Sequence, residues 1–248
     1  MIGPVGYWEA SRAPRYSLLF ALPLLLAYEG LAVALPDAGR VGLRNGADVM
    51  FQRLFVLLAG PHGPLVFWSA LIVLGLGLVA RDLHRHPGGL RVPVFATMIV
   101  ESSVLAVACG LVVGTLTTRL LGALAIQAGD VQALGWPTRL MLSLGAGLYE
   151  ELFFRVALVT LLAWGARVLF GWRPLLTGLF AVVLGAFAFS AFHYVGPYGD
   201  RLELFSFTYR MIAGLFFSAL YLLRGFGITA WTHALYDVLV LVLLPAAS

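Results

Sequence analysis

The 248-residue chain contains no lysine, a single cysteine and little charge of either sign. All sixteen basic residues are arginine, set against twelve acidic ones, and charged residues make up only 11% of the chain, where an ordinary soluble domain carries about a quarter. The arginines are scattered, with no basic block and no aromatic-interleaved patch, so the net charge of +4 does not imply a nucleic-acid partner. Cys109 has no partner for an internal disulfide and no companions for a cysteine metal cluster; it sits in an apolar run and reads as packing. An HExxH pair is absent, which excludes a zinc intramembrane protease of the site-2 type. A GxSx nucleophile before a histidine is also absent, which excludes a rhomboid. Tyr236-Asp237 has no GxGD downstream to complete a presenilin-type pair, since Gly199-Asp200 lies upstream. Without internal repeats, nothing favours a transporter with a buried ion pair, which would show two-fold repeats and broken helices in both halves.

What is present is hydrophobic. Apolar residues make up 61% of the chain and the mean hydropathy is +0.94, which describes a polytopic integral membrane protein. Runs long enough to cross a bilayer, about 20 residues each, lie near 16–35, 64–80, 94–121, 140–168, 175–194, 204–223 and 228–244. A shorter run at 49–60 carries Arg53 and reads as an interfacial helix or an eighth short span. The expected fold is therefore an all-α bundle of seven or eight transmembrane helices in one domain. The first run imitates a signal peptide, with Arg12 and Arg15 before it and Ala32-Val33-Ala34 after it. Its length and Glu29 favour a retained helix. With the amino terminus inside, Arg12, Arg15, Arg81, Arg85, Arg91, Arg167, Arg173 and Arg224 fall on the cytoplasmic side, and Arg40, Arg44, Arg119, Arg139 and Arg201 outside. Gly110 and Gly114 form a small-xxx-small face expected to bring two helix backbones together. His84 and His86 read as part of a solvated turn, and Glu29 and Glu101 as helix-to-helix hydrogen bonding.

Against this background Tyr149-Glu150-Glu151-Leu152-Phe153-Phe154-Arg155 stands out, two acids and a base inside a spanning run. One ionised side chain at the bilayer centre costs about 2.5–3.5 kcal/mol, so three together need mutual pairing or a wet cavity. On an α-helix Glu151 and Arg155 share a face and can pair, while Glu150 lies about 100° round the helix, free for another environment. Burial and nearby positive charge act on Glu150 in opposite senses, and their balance decides whether it can move a proton. Two further polar groups lie at membrane depth. Phe189 and His193 are four residues apart at the end of one run, and His233 and Asp237 are four apart within the last. Aromatic packing would orient His193, and the Asp237 carboxylate would orient His233.

In that order the three blocks resemble the EExxxR, FxxxH and HxxxN/D signatures of the CPBP family. This is the CAAX protease and bacteriocin-processing (Abi) group of intramembrane endopeptidases, which includes the eukaryotic type II CAAX prenyl endopeptidase. The resemblance spans Glu150 to Asp237. It implies that Glu150 activates the attacking water with help from His193, that His233 and Asp237 polarise the scissile carbonyl and hold the oxyanion, and that Glu151 and Arg155 hold Glu150 in place, with Phe189 supporting His193. Many relatives carry asparagine where this chain has Asp237. An ionised aspartate cannot donate to an oxyanion, so the preferred role for Asp237 is to fix the His233 tautomer.

No metal or other cofactor is expected; the alternative is zinc held by Glu150, His193 and His233 with a water. The expected organisation is an amino-terminal set of helices over 1–137 and a CPBP-like catalytic core over 138–248. The expected setting is a bacterial inner (cytoplasmic) membrane, with membrane-anchored proteins or peptides as substrates and the lipid bilayer as the other partner. The competing function is a non-proteolytic immunity or envelope scaffold. One tension accompanies these assignments: in straight helices His193 falls near the outer end of its span, whereas His233 lies only about 10 Å into the last.

Overall fold

A computed structural model describes residues 6–35, 43–121, 134–196 and 199–243. Among these residues all regular structure is helical. Helix α1 (Tyr7–Arg12) is a single short turn and a half, followed by α2 (Pro14–Ala34), which starts on a proline whose missing N–H costs nothing at that position. Helix α3 (Gly46–Ala59) is 14 residues long, about 21 Å, too short for a 30 Å hydrocarbon core. At Gly60, where φ is +57°, the chain reverses through a short 3-10 turn into α4 (Gly63–Arg85). A Cβ at Gly63 would lie 2.4 Å from the backbone nitrogen of Val56, so only glycine allows the two arms to close so tightly. The run at 49–60 is thus neither an independent interfacial helix nor an eighth span but the short arm of a helical hairpin. Phe51 and Phe55 on that arm pack on Phe67 of the other.

Helix α5 (Val92–Leu121) follows, then α6 (Trp136–Gly145), which continues without a break into a π-helical segment, Ala146–Val159, and on into α7 (Thr160–Phe170). Gly171, at φ +62°, ends α7. Helix α8 (Pro174–Phe192), α9 (Leu204–Arg224) and α10 (Phe226–Asp237) complete the bundle, with a second π-helical stretch, Val238–Leu243, closing the described chain. Counted by length and apolarity, seven helical stretches among the described residues can cross a membrane, the α3–α4 hairpin being one of them. Their outer faces expose residues such as Leu57 and Leu169, 83% and 77% accessible, as lipid-facing surface requires.

Helix α10 is the hub. It packs on α5, on the π-helical segment, on α2, on α9 and on α6. Close approach there depends on glycines other than the pair read from the sequence. A Cβ at Gly147 would stand 2.4 Å from the carbonyl oxygen of Ala230, and one at Gly227 would stand 2.5 Å from that of Ser17. A Cβ at Gly110, by contrast, would meet only the Tyr236 ring at 3.7 Å, and one at Gly114 nothing within 4 Å. Among the described residues the Gly110/Gly114 face therefore does not join two backbones.

Helix α2 is built into this core: Leu24 packs on Ala230 and Ala234, Trp231 Nε1 donates to the Phe20 carbonyl at 2.5 Å, and Gly227 N donates to Ser17 Oγ at 2.7 Å. At the end of the bundle holding α1, Arg224 binds Glu101 through Nε and NH2 at 2.6 and 2.7 Å, donates to Ser11 Oγ at 2.9 Å and lies 3.8 Å over the Trp8 ring. Tyr7 also hydrogen-bonds Glu101, and burial together with that carboxylate pushes the phenol pKa up. Arg15 pairs with Asp82 at 3.4 Å at the same end, where His86 forms an exposed contact to Asp82. Glu101 thus makes helix-to-helix bonds, as expected of it, and Arg12, Arg15 and Arg224 gather at one end. Arg40 lies outside the described residues.

Candidate active site

The acidic block lies wholly within the π-helical segment, not on the α-helix that its spacing suggests. In such a segment each N–H reaches five residues back, which widens the turn and accompanies functional sites in many helices. The Glu151–Arg155 pair survives the change of helix: Arg155 NH1 stands 3.0 Å from Glu151 Oε1, and both side chains are almost completely buried. The guanidinium is walled by aromatics, 4.4 Å from the Phe189 ring centroid and 5.5 Å from that of Phe217. Its NH2 donates to the Gly214 carbonyl at 3.4 Å.

Glu151 also reaches α10. Its Oε1 is 2.6 Å from His233 Nδ1, whereas Asp237 Oδ2 stands 3.7 Å from His233 Nε2, beyond hydrogen-bond distance. The orienting carboxylate of His233 is therefore Glu151, contributed across the bundle, and not Asp237 from its own helix. A local i,i+4 reading favours Asp237. The long-range contact wins because α10 and the π-helical segment are drawn together at Gly147. Phe217 stacks on the His233 imidazole, 4.3 Å away and 17° from parallel.

His193 caps the end of α8. Its Nδ1 lies 2.9 Å from the Phe189 carbonyl, an atom that can only accept, so Nδ1 carries a proton, and in the neutral ring Nε2 keeps its lone pair. The loop beyond is tied back by Asp200 N, which donates to the His193 carbonyl at 2.9 Å, and by an Arg210–Asp200 ion pair. Phe189 packs edge-on against both imidazoles, 5.0 Å from His193 and 6.1 Å from His233. The difference in level along their helices is thus bridged by one ring. Glu150 is buried.

The residue that sequence reasoning missed is Asn45. Its Nδ2 donates to Glu150 Oε1 at 2.8 Å from the start of α3, 105 positions away in the chain. A polar residue just before an apolar helical run is an N-cap signal, but nothing in the sequence tells where the rest of that side chain reaches. Around it Tyr28 OH accepts from Asn45 N and donates to Asp48, each at 3.0 Å, and Arg44 binds both Asp48 and Glu29. Burial opposes the Arg44 charge, but the hydrogen bonds it donates to Glu29 and Asp48 outweigh that and push its pKa up. Glu29 also accepts from Tyr149 OH at 2.9 Å, so it too bonds between helices.

Among the described residues no three His, Cys, Asp or Glu side chains are grouped so that they could hold a metal ion, and Glu150, His193 and His233 are no exception.

Residues 132–239 match the family model described as Type II CAAX prenyl endopeptidase Rce1-like. This segment is similar to the CAAX protease family. It contains every residue of the acidic block, both histidines and Asp237, and it ends with the first residues of the closing π-helical stretch. The family is one of membrane proteases, and the likeness is confined to this segment. Asn45, Tyr28, Glu29 and Asp48 lie outside the matched residues. No curated protein and no solved structure matches the chain.

Proposed function

We propose that the chain hydrolyses a peptide bond in membrane-anchored proteins or peptides, with Glu150 as the base. Glu150 takes a proton from water, the resulting hydroxide oxygen bonds to the scissile carbonyl carbon, and the proton then passes to the leaving amine as the C–N bond breaks. His193 Nε2, with its lone pair free, helps hold and polarise the water. When His233 carries both ring protons, Nδ1 donates to Glu151 and Nε2 offers an N–H to the developing oxyanion beside Asp237. Glu151 and Arg155 keep this wall of the site rigid. No metal is assigned a step.

The observation that carries the reading is that two adjacent buried carboxylates reach different helices, Glu150 to Asn45 at 2.8 Å and Glu151 to His233 at 2.6 Å, with the Phe189 ring against both imidazoles. Each unpartnered charge there would destabilise the bundle, so a purely structural role accounts poorly for the group. The test compares protein termini in membranes holding the intact chain with those holding Glu150→Gln. Precursors that accumulate only with the variant support proteolysis and name the substrate. Identical termini at equal protein abundance favour the scaffold.

A further inference from the structure

We infer that Asn45 is a positioning residue for Glu150, fixing one carboxylate oxygen so that the other is presented to water. The inference rests on the proposed role of Glu150 as base. It starts from the fact that one small side chain makes two directional bonds. Asn45 Oδ1 accepts from Ala47 N at 2.9 Å, capping α3, and Nδ2 donates to Glu150 Oε1 at 2.8 Å. A backbone N–H can only donate, so the atom facing Ala47 is the oxygen. The NH2 end is thereby aimed at Glu150; the reverse orientation would set oxygen against carboxylate and NH2 against N–H.

The amide is itself held on several sides. Asn45 N is anchored on the Tyr28 hydroxyl, which Asp48 holds in turn, and Arg44 pins Asp48. Gly145 makes room for the arrangement: a Cβ there would lie 2.4 Å from the Tyr28 ring and 3.0 Å from Asn45 Cβ. Capping alone does not require asparagine, because serine, threonine and aspartate cap about as well. Only asparagine, among residues of this length, combines an acceptor for the cap with a donor for a carboxylate.

That distinction supplies the test. Asn45→Ser keeps the cap but is too short to reach Glu150, and Asn45→Asp keeps cap and size but donates only when protonated. The probe is the precursor that accumulates in Glu150→Gln membranes. With both variants unfolding within a few degrees of the intact chain, kcat is expected to fall about ten- to a hundred-fold with KM within two-fold, as for a displaced reacting group. For Asn45→Asp, kcat is expected to rise as the pH is lowered below neutral, because protonation restores an O–H donor; a capping role alone predicts no such recovery. Full kcat in Asn45→Ser, with Glu150→Gln inactive, overturns the inference and leaves the proposed function standing. If Glu150→Gln accumulates no precursor, the proposed function fails instead, and the contact is judged without substrate. Dicyclohexylcarbodiimide, which attacks protonated carboxyls, is expected to label Glu150 several-fold faster in Asn45→Ser than in the intact chain, and equal rates overturn the contact.

Discussion

Glu151 and His233 meet across the bundle at 2.6 Å, while Arg155 stands 3.0 Å from the same carboxylate oxygen as its ion-pair partner. One buried carboxylate therefore serves both a fixed cation and an imidazole. Replacing it by a neutral amide leaves Arg155 as an uncompensated charge among Phe189 and Phe217, a change that costs about 3–5 kcal/mol. Glu151→Gln is expected to unfold far below the intact chain in detergent. Glu151→Gln combined with Arg155→Met recovers much of that stability but not proteolysis, because His233 still lacks its partner. Thermal unfolding and precursor cleavage, measured on both variants, separate the two effects.

Asp237 is expected to tolerate change. Its carboxylate stands 3.7 Å from His233 Nε2 and makes no hydrogen bond to it. Asp237→Asn keeps the shape and adds a donor near the oxyanion, so the rate should stay within about three-fold of the intact chain, whereas Asp237→Leu should lose ten-fold or more. Steady-state cleavage of the accumulated precursor checks both. A collapse in Asp237→Asn alone would return the orienting role to Asp237.

Chelation supplies a third prediction. Since no three of the described ligating side chains are grouped to hold a metal ion, purified protein dialysed against EDTA or treated with 1,10-phenanthroline is expected to cleave at an unchanged rate. Loss of activity that added zinc restores would contradict the scheme.

The fourth concerns the contact that sets the site. Gly147 allows the π-helical segment to lie directly on the Ala230 carbonyl. Gly147→Val is expected to push α10 outward, cost about 1–3 kcal/mol or more and weaken cleavage by moving His233 from Glu151. Gly114→Val, where an added Cβ meets nothing within 4 Å, serves as the matched control and should leave both unfolding and cleavage near those of the intact chain.

The chemistry-bearing blocks were legible because charged residues inside apolar runs are too costly to be incidental. The helical bundle was legible for the same reason, through hydropathy. Two things were not. The widened helix around Glu150 and Glu151 has no residue signature, since an i→i+5 ladder uses the same apolar residues as an α-helix, and an apolar run of 12 residues does not announce that it folds back on its neighbour. Asn45 was hidden behind that second failure. Its position becomes meaningful only once Gly60 and Gly63 have turned α3 against α4 and brought the start of α3 to a carboxylate 105 residues away. The Gly110/Gly114 face misled in the opposite sense, because small residues permit close approach without compelling it.

The hairpin also bears on how portable this chemistry is. The family-matched segment, 132–239, carries the acid, the imidazoles and the arginine, yet the amide that holds Glu150 arrives from an arm encoded nearly ninety residues upstream of it. A fragment confined to that segment would keep the reagents and lose a jig that aligns one of them. Exchanging amino-terminal halves between related proteins should therefore alter turnover even where the carboxy-terminal halves are identical.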